Sequence, residues 1–419
     1  MQNVLSPTLE RADLLDWYRR NRERSLQLFD MIDPDAYYSK PIPLRHPIVF
    51  YEGHLPAFSF ITLARNALGR PSIDAQLEKL FQRGIDPADE KAAAAHAVAA
   101  WPSRQEVRAF GRACDEAIVL AMLEMRGAHS GDLPVQAAYT ILEHEQMHHE
   151  TLLYIYHQLP YHLKHRPANG APPPDATPPQ YARAKVPAGS ATLGARRGET
   201  FGWDNEFEQT VVEVPAFEID AHSVTNADYL AFVKAGGPVP SFWSEKDGRW
   251  LLQCMFEEVP LPASWPVYVT HEHAAAFAEW KGMRLPTEAE FHRAAFGTPS
   301  GGERAYPWGA EPPSYAHGNF NFHTWDPEPA GSHPAGASAW RVHDLVGNGW
   351  EWTASTFRPL PGFAPMQTYP QYSADFFDEQ HYVVKGASAV TARELIRRSF
   401  RNWYRPNYPY VYAKFRCVA

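Results

Sequence analysis

Apolar positions recur at helical spacing in four stretches of the chain, 10–32, 55–68, 104–126 and 135–160. In the first, Leu14, Leu15, Trp17 and Tyr18 are placed to face a core. Four such stretches predict a four-helix bundle over residues 1–165, an architecture that builds its sites from side chains on facing helices. The pattern stops in "HRPANGAPPPDATPPQYARAK", whose prolines and glycine cannot continue a helix, so 166–185 reads as a linker. Beyond it the period shortens. Short β-like runs, "TVVEVPAFEID" and "HYVVKGAS", stand among loops rich in Gly, Pro, Trp and Asn, with helices expected at "THEHAAAFAEWKG" and "PTEAEFHRAAFG". Residues 186–419 are therefore expected to form an α+β domain, without internal repeats, and the whole an α+β protein of two domains.

A length of 419 residues agrees with two domains, since it exceeds what one ordinary core organises. The net charge of −9 and the lack of a basic tract argue against a nucleic-acid partner. Cys114, Cys254 and Cys417 are too few and too scattered for a disulfide framework or a CxxC metal site, which suggests a reducing compartment. The N-terminal stretch has no signal-peptide core, and no apolar run approaches the roughly 20 residues of a membrane span. A cytoplasmic protein without a membrane partner is expected.

Chemistry concentrates in "EHEQMHHETLLY", residues 143–154. On a helix His144 and His148 lie one turn apart on one face, the spacing by which a helix offers two imidazoles to one metal. His149 points elsewhere, and Glu145 and Glu150 are candidates to fix an imidazole tautomer. A histidine-rich polar helix face is the competing reading. A third imidazole could come from "RHPIVFYEGHLPAFSF", which holds His46 and His54, the latter expected at the start of an apolar helix. A histidine in so aromatic a stretch needs a polar partner, and a backbone hydrogen bond would also serve. Three imidazoles suit Zn, Fe or Cu alike.

The second half carries a resemblance. "FGWDNEF", "HSVTNADYLAFV", "MRLPTEAEFHRAAFG", "YPWG" and "HDLVGNGWEWT" occur in the order found in formylglycine-generating enzymes and sulfoxide synthases. The resemblance implies a C-type-lectin-like fold. The paired C-terminal cysteines of formylglycine-generating enzymes are missing from "RRSFRNWYRPNYPYVYAKFRC", so their copper–thiol chemistry is not expected. Within "GNGWEWT", Asn348 and Glu351 are expected to be structural, satisfying buried backbone groups.

A helical bundle, a Pro-rich linker and this domain together resemble the ergothioneine-type sulfoxide synthases, mononuclear non-haem iron enzymes with a DinB-like bundle. The resemblance implies Fe(II) as cofactor and O2 as co-substrate. "HEQMHHE" is similar to that family's HEQxHxE helix, so His144 and His148 match two iron ligands, and "FYEGHLPAF" matches the segment of the third, His54 rather than His46. Asn402 in "FRNWYRP" matches an Asn that touches the substrate imidazole, with Trp403, Tyr404 and Arg405 beside it as further substrate-binding candidates and Trp403, Tyr404 and Tyr408 as candidate aromatic partners of a quaternary ammonium. Met147 stands where the family often has a substrate-contacting Gln. A family tyrosine that supplies a proton or hydrogen atom has candidates in "MQTYPQYSADFFDEQHY": Tyr369 and Tyr372 foremost, then Tyr382.

The donor segment departs from relatives that use γ-glutamylcysteine. "ADEKAAAAHAVAAWPSRQE" contains no arginine before Arg104, and loss of Arg forks removes bidentate carboxylate recognition. "RHPIVFYEGH" and "LEKLFQRGID" resemble the ovothiol-type 5-histidylcysteine sulfoxide synthases, which often carry a C-terminal methyltransferase not present in these 419 residues. They also resemble the selenoneine synthases, which join hercynine to a selenosugar, and a neutral sugar fits the missing arginines. The expected function is C–Se bond formation between the hercynine imidazole and a selenosugar. The alternatives are a sulfoxide synthase using cysteine or γ-glutamylcysteine with hercynine or histidine, a zinc thiol transferase, and a non-catalytic binding protein.

Overall fold

The computed structural model describes residues 11–82, 100–125 and 131–419. By their internal contacts these fall into two compact units. One comprises residues up to Pro167 together with the short segments Gly198–Phe201 and Met366–Pro370; the other comprises Ala168–Arg197, Gly202–Pro365 and Gln371–Ala419. Among the described residues no helix is long and apolar enough to cross a membrane.

The first unit is helical: α1 (Arg11–Asp30), α2 (Ile48–Ser59), α3 (Ala75–Phe81), α4 (Arg104–Glu124) and α5 (Leu133–His157). All twelve residues of α2 are buried. A helix that is apolar all round belongs in a core, and α3, α4 and α5 pack around this one. It begins before the apolar periodicity suggested, so His54 lies in mid-helix and not at a helix start. Pro56 lies inside α2, and the chain passes into π-helical turns over Phe60–Ala67. Proline lacks the N–H that would complete the helical ladder, so the register loosens there. α4 starts at a capping box in which Ser103 and Glu106 satisfy each other's backbone N–H groups. The predicted faces of α1 are buried as expected at Leu14, Leu15, Trp17 and Tyr18. α3 was not foreseen, and two turns are too few for a periodicity to register.

The second unit is mixed α and β. β1 (Arg183–Val186) pairs with β4 (Phe217–Asp220), β2 (Gly189–Leu193) with β3 (Thr210–Val214), and β5 (Trp243–Lys246), β6 (Arg249–Gln253) and β7 (Glu258–Pro260) form a meander. A four-stranded sheet runs β10 (Asn402–Tyr404), β9 (Tyr382–Ala387), β8 (Gly349–Thr356), β11 (Ala413–Lys414). The helices α6 (Asn226–Lys234), α7 (His271–Trp280) and α8 (Glu288–Phe296) each start at a threonine cap. The two helices expected here are α7 and α8; α6 is additional. The Pro-rich stretch is tied down within this unit: Asp175 accepts hydrogen bonds from the Ser264 hydroxyl (2.6 Å) and the Ala263 and Ser264 amides, and Asn169 accepts one from the Trp325 indole.

"GNGWEWT" is structural, though not in the way the sequence suggested for Glu351. Asn348 does satisfy backbone groups: it accepts from the Glu328 amide (2.7 Å) and donates to the Glu328 carbonyl (2.8 Å). Glu351, fully buried on β8, instead meets two side chains, Lys414 (2.8 Å) and Arg416. The register of β11 against β8 sets Lys414 opposite Glu351. All three cysteines are buried thiols, and burial pushes each above its usual range.

Candidate metal centre

α2 and α5 bring His54, His144 and His148 together, with their ligating atoms within 4.8 Å of one another. Among the described residues no other group of three or more His, Cys, Asp or Glu side chains is so arranged. The i, i+4 spacing puts His144 and His148 on one face of α5, ring centroids 4.2 Å apart. His54 stands 5.2 Å from each.

Each ring is held in a state fit for a metal. His54 Nδ1 lies 2.7 Å from the Phe81 carbonyl, and His148 Nδ1 lies 3.0 Å from the carbonyl of His144. A carbonyl only accepts, so each Nδ1 carries the proton and each Nε2 keeps a lone pair. Glu145 and Glu150 do not set these tautomers. Glu145 is taken up by Arg22 (2.6 Å) and Ser25, and Glu150 accepts from Tyr154. They sit on the other faces of α5, where helix geometry points residues one and two positions from a ligand. His144 stacks on Phe58 at 3.6 Å, and its Nδ1 is buried without a hydrogen-bond partner, as expected of a donor atom kept for another ligand. Burial, reinforced by mutual repulsion, lowers His54 to about 3 and holds His144 well below its ordinary value; burial lowers His148 to about 4. All three are neutral at pH 7, the form that binds metal. Three neutral imidazoles in an aromatic pocket fit a mononuclear iron or zinc ion.

His149 and His46 are not part of the cluster. His149 lies 2.8 Å from the Ser25 hydroxyl, and His46 stacks on Phe50.

Gly53 explains how the Phe81 carbonyl reaches His54. A Cβ on Gly53 would fall 2.5 Å from the buried Phe81 ring. Gly53→Ala must displace that ring, and with it the carbonyl that orients His54. Losing a partner of a metal-binding histidine costs about 10–100-fold in affinity or activity. Iron titration of the apoprotein is expected to show a loss of that size, with a small drop in thermal stability.

The other candidates separate. Tyr369 belongs to the helical unit, its ring 5.3 Å from Phe58 and 6.2 Å from His144. Tyr372 lies in the second unit, stacked on Trp203 at 4.0 Å and edge-on to Trp403. Trp403 stacks on Phe357 at 4.2 Å. Asn402 donates to the Tyr404 hydroxyl and accepts from the Trp403 amide. Tyr404 stacks on Tyr408, Tyr382 stacks on His271, and Arg405 donates to Gln380. Met147 is half-buried on α5 beside His148.

Of the donor segment, 88–99 lies outside the described residues, as do 83–86 of "LEKLFQRGID". Arg104 is committed within the helical unit, to the Phe29 carbonyl (2.7 Å) and Glu52 (3.3 Å). The sequence reading missed Arg45, which stands near enough to His148 to oppose its protonation. Its adjacency to His46 was the available signal.

Residues 169–419 match the sulfatase-modifying factor enzyme 1-like domain. Over nearly its whole length the chain is similar to two proteins named hercynine oxygenase. It is 31% identical to that of Mycolicibacterium smegmatis, covering 95% of this chain and 96% of the relative. It is 32% identical to that of Mycolicibacterium thermoresistibile, covering 97% and 94%. It is 28% identical to ergothioneine biosynthesis protein 1 of Neurospora crassa over 93% of this chain but 55% of that protein, so it spans about half the length of this relative. The chain belongs to the sulfatase-modifying factor enzyme 1-like family, in the group of enzymes that includes the hercynine oxygenases.

Proposed function

We propose that this protein is a non-haem iron(II) enzyme that uses O2 to join the imidazole of hercynine to a chalcogen donor, with a selenosugar as the donor. The observation that carries the reading is the cluster of His54, His144 and His148, all neutral, the first two buried and the third half-buried, in a chain similar end to end to hercynine oxygenases. We assign the helical unit to the DinB-like bundles on the same resemblance.

Bound iron would supply the redox centre at which O2 is reduced. The chain does the rest. His54, His144 and His148 would hold the ion, while Phe50, Phe58 and Tyr51 pack against their rings and would exclude water. The Tyr369 hydroxyl is our choice of proton donor over Tyr372, because its ring packs in the same aromatic cluster as His144. Asn402 and Trp403 are assigned to the substrate imidazole, with Met147, Tyr404 and Arg405 as secondary contacts. The reaction balances without an added reductant. The C–H and Se–H bonds are lost and a C–Se bond forms; one oxygen atom of O2 goes to selenium as the selenoxide, and the other leaves as water with the two hydrogens.

The selenosugar rests on the arginine-poor segment and on Arg104 being committed to Glu52 and Phe29. A thiol donor carrying carboxylates, cysteine or γ-glutamylcysteine, is the second reading, which the similarity to proteins named ergothioneine biosynthesis protein 1 favours. The test is anaerobic Fe(II) reconstitution, then O2 with hercynine or histidine, each against 1-seleno-N-acetylglucosamine, cysteine and γ-glutamylcysteine, read by product mass. Hercynine with the selenosugar is expected to give the C–Se conjugate. Turnover confined to a thiol donor, or to histidine, would replace the selenosugar assignment. Zinc in place of iron in anaerobically purified protein, without O2 consumption, would point to a thiol transferase.

A further inference from the structure

We infer that a hydroxyl pair, Thr140 on α5 and Thr368 on the Met366–Pro370 segment, is the positioning element that holds Tyr369 over His144. The inference rests on the role given to Tyr369 above.

Met366–Pro370 lies in the chain between β8 and β9, yet its contacts place it with the helices. The Thr368 hydroxyl is 2.9 Å from that of Thr140. Thr140 is fully buried, and its hydroxyl already donates to the Gln136 carbonyl at 2.8 Å. A hydroxyl has one proton to give. Thr140 must therefore accept, and Thr368 must donate. The bond has a fixed direction, set by the helix backbone.

Thr140 and His144 are four residues apart, so one face of α5 carries both the anchor of the segment and a candidate metal ligand. The separation between them is that of one helical turn and does not depend on loop conformation. Tyr369 follows Thr368 directly, and Pro370 follows Tyr369. A residue before proline is confined to extended backbone, which narrows the directions Tyr369 can take once Thr368 is fixed. Tyr139, the residue before Thr140, stacks on Phe201 of the other returning segment at 5.2 Å, so both segments meet α5 at the same turn. A misplacement of about 1 Å in a reacting group can cost a hundredfold in rate, so an anchor at this point controls turnover without touching substrate.

Thr368→Val keeps the shape of the side chain and removes the donor. Turnover is expected to fall about fivefold or more, the scale of one hydrogen bond, with KM for hercynine and iron content unchanged. Backbone hydrogen-exchange protection over 366–370 should fall in the same variant, with or without iron. Thr368→Ser should restore both, and Thr140→Val should reproduce the loss. Protection and turnover both within twofold of the parent in Thr368→Val would overturn the inference. A parallel fall in iron content and melting temperature would also overturn it, by showing a merely structural contact. Tyr369→Phe separates the two readings: if it turns over like the parent, the role given to Tyr369 fails, while lost protection in Thr368→Val would still show the anchor.

Discussion

His54→Ala, His144→Ala and His148→Ala are each expected to yield folded protein that neither retains iron nor turns over. Among the described residues three neutral imidazoles are gathered for the proposed ion, so removing one leaves two. Metal assistance is worth several kcal/mol of barrier, and about 4 kcal/mol corresponds to roughly a thousandfold in rate. Turnover should fall by at least that factor, and iron per chain after anaerobic reconstitution should fall with it. The controls are as informative as the variants. His46→Ala and His149→Ala remove neighbouring histidines that stack on Phe50 or meet Ser25 instead of joining the cluster. They should keep iron, although His149→Ala leaves the Ser25–Glu145 network short of a buried partner and lowers stability by about 1–3 kcal/mol. Equal iron in the parent and all three cluster variants would remove the metal assignment, and undiminished turnover would leave a binding protein as the better reading.

The histidine cluster was partly legible in the sequence. His144 and His148 announce themselves because a helical period converts spacing directly into direction. His54 did not: HxxxH needs one helix, whereas bringing α2 against α5 is a tertiary event, and only the resemblance chose His54 over His46. The tautomer partners were misread for a related reason. Glu145 and Glu150 are close in sequence, but the atoms that orient the rings are the carbonyls of Phe81 and His144. Every residue has a carbonyl, so no residue type marks that role. Tyr369 and Tyr372 are three residues apart in one aromatic run and could not be ranked from sequence. The segment that includes Tyr369 packs with the helices, and Tyr372 packs on Trp203. The helices α7 and α8 were visible from their apolar faces, and the strands β3, β4 and β9 from their apolar runs. β1 and the meander β5–β6–β7 were not, because each of these short strands stands alone among loops, whereas β3 and β4 share one continuous β-like run.

Glu351→Ala is expected to cost the second unit about 3–5 kcal/mol, the range for breaking a buried ion pair from one side. Glu351, Lys414 and Arg416 are each fully shielded from solvent. Burial opposes the charge on Glu351, but Arg416 and then Lys414 outweigh it and hold the carboxyl below its usual range. The cations have further partners: Lys414 donates to the Asp344 carbonyl (2.8 Å), and Arg416 to the carbonyls of His343 (2.8 Å) and Asp220 (3.1 Å). Alanine would leave two cations in the core without the one carboxylate that bonds both, with only the more distant charges of Asp344 and Asp220 to offset them. For a unit of this size each kcal/mol moves the melting temperature by roughly 2–4 °C, so a fall on the order of 10 °C is expected in calorimetry. Folded-state pKa depression makes this stability present at neutral pH and lost on acidification through the lowered pKa of Glu351, so the parent and the variant should converge in acid. Below its melting temperature Glu351→Ala should turn over like the parent. A catalytic Glu351 demands the reverse, an unchanged melting temperature with lost turnover. Two measurements on one variant thus decide whether the acid between two tryptophans serves chemistry or the attachment of β11 to β8.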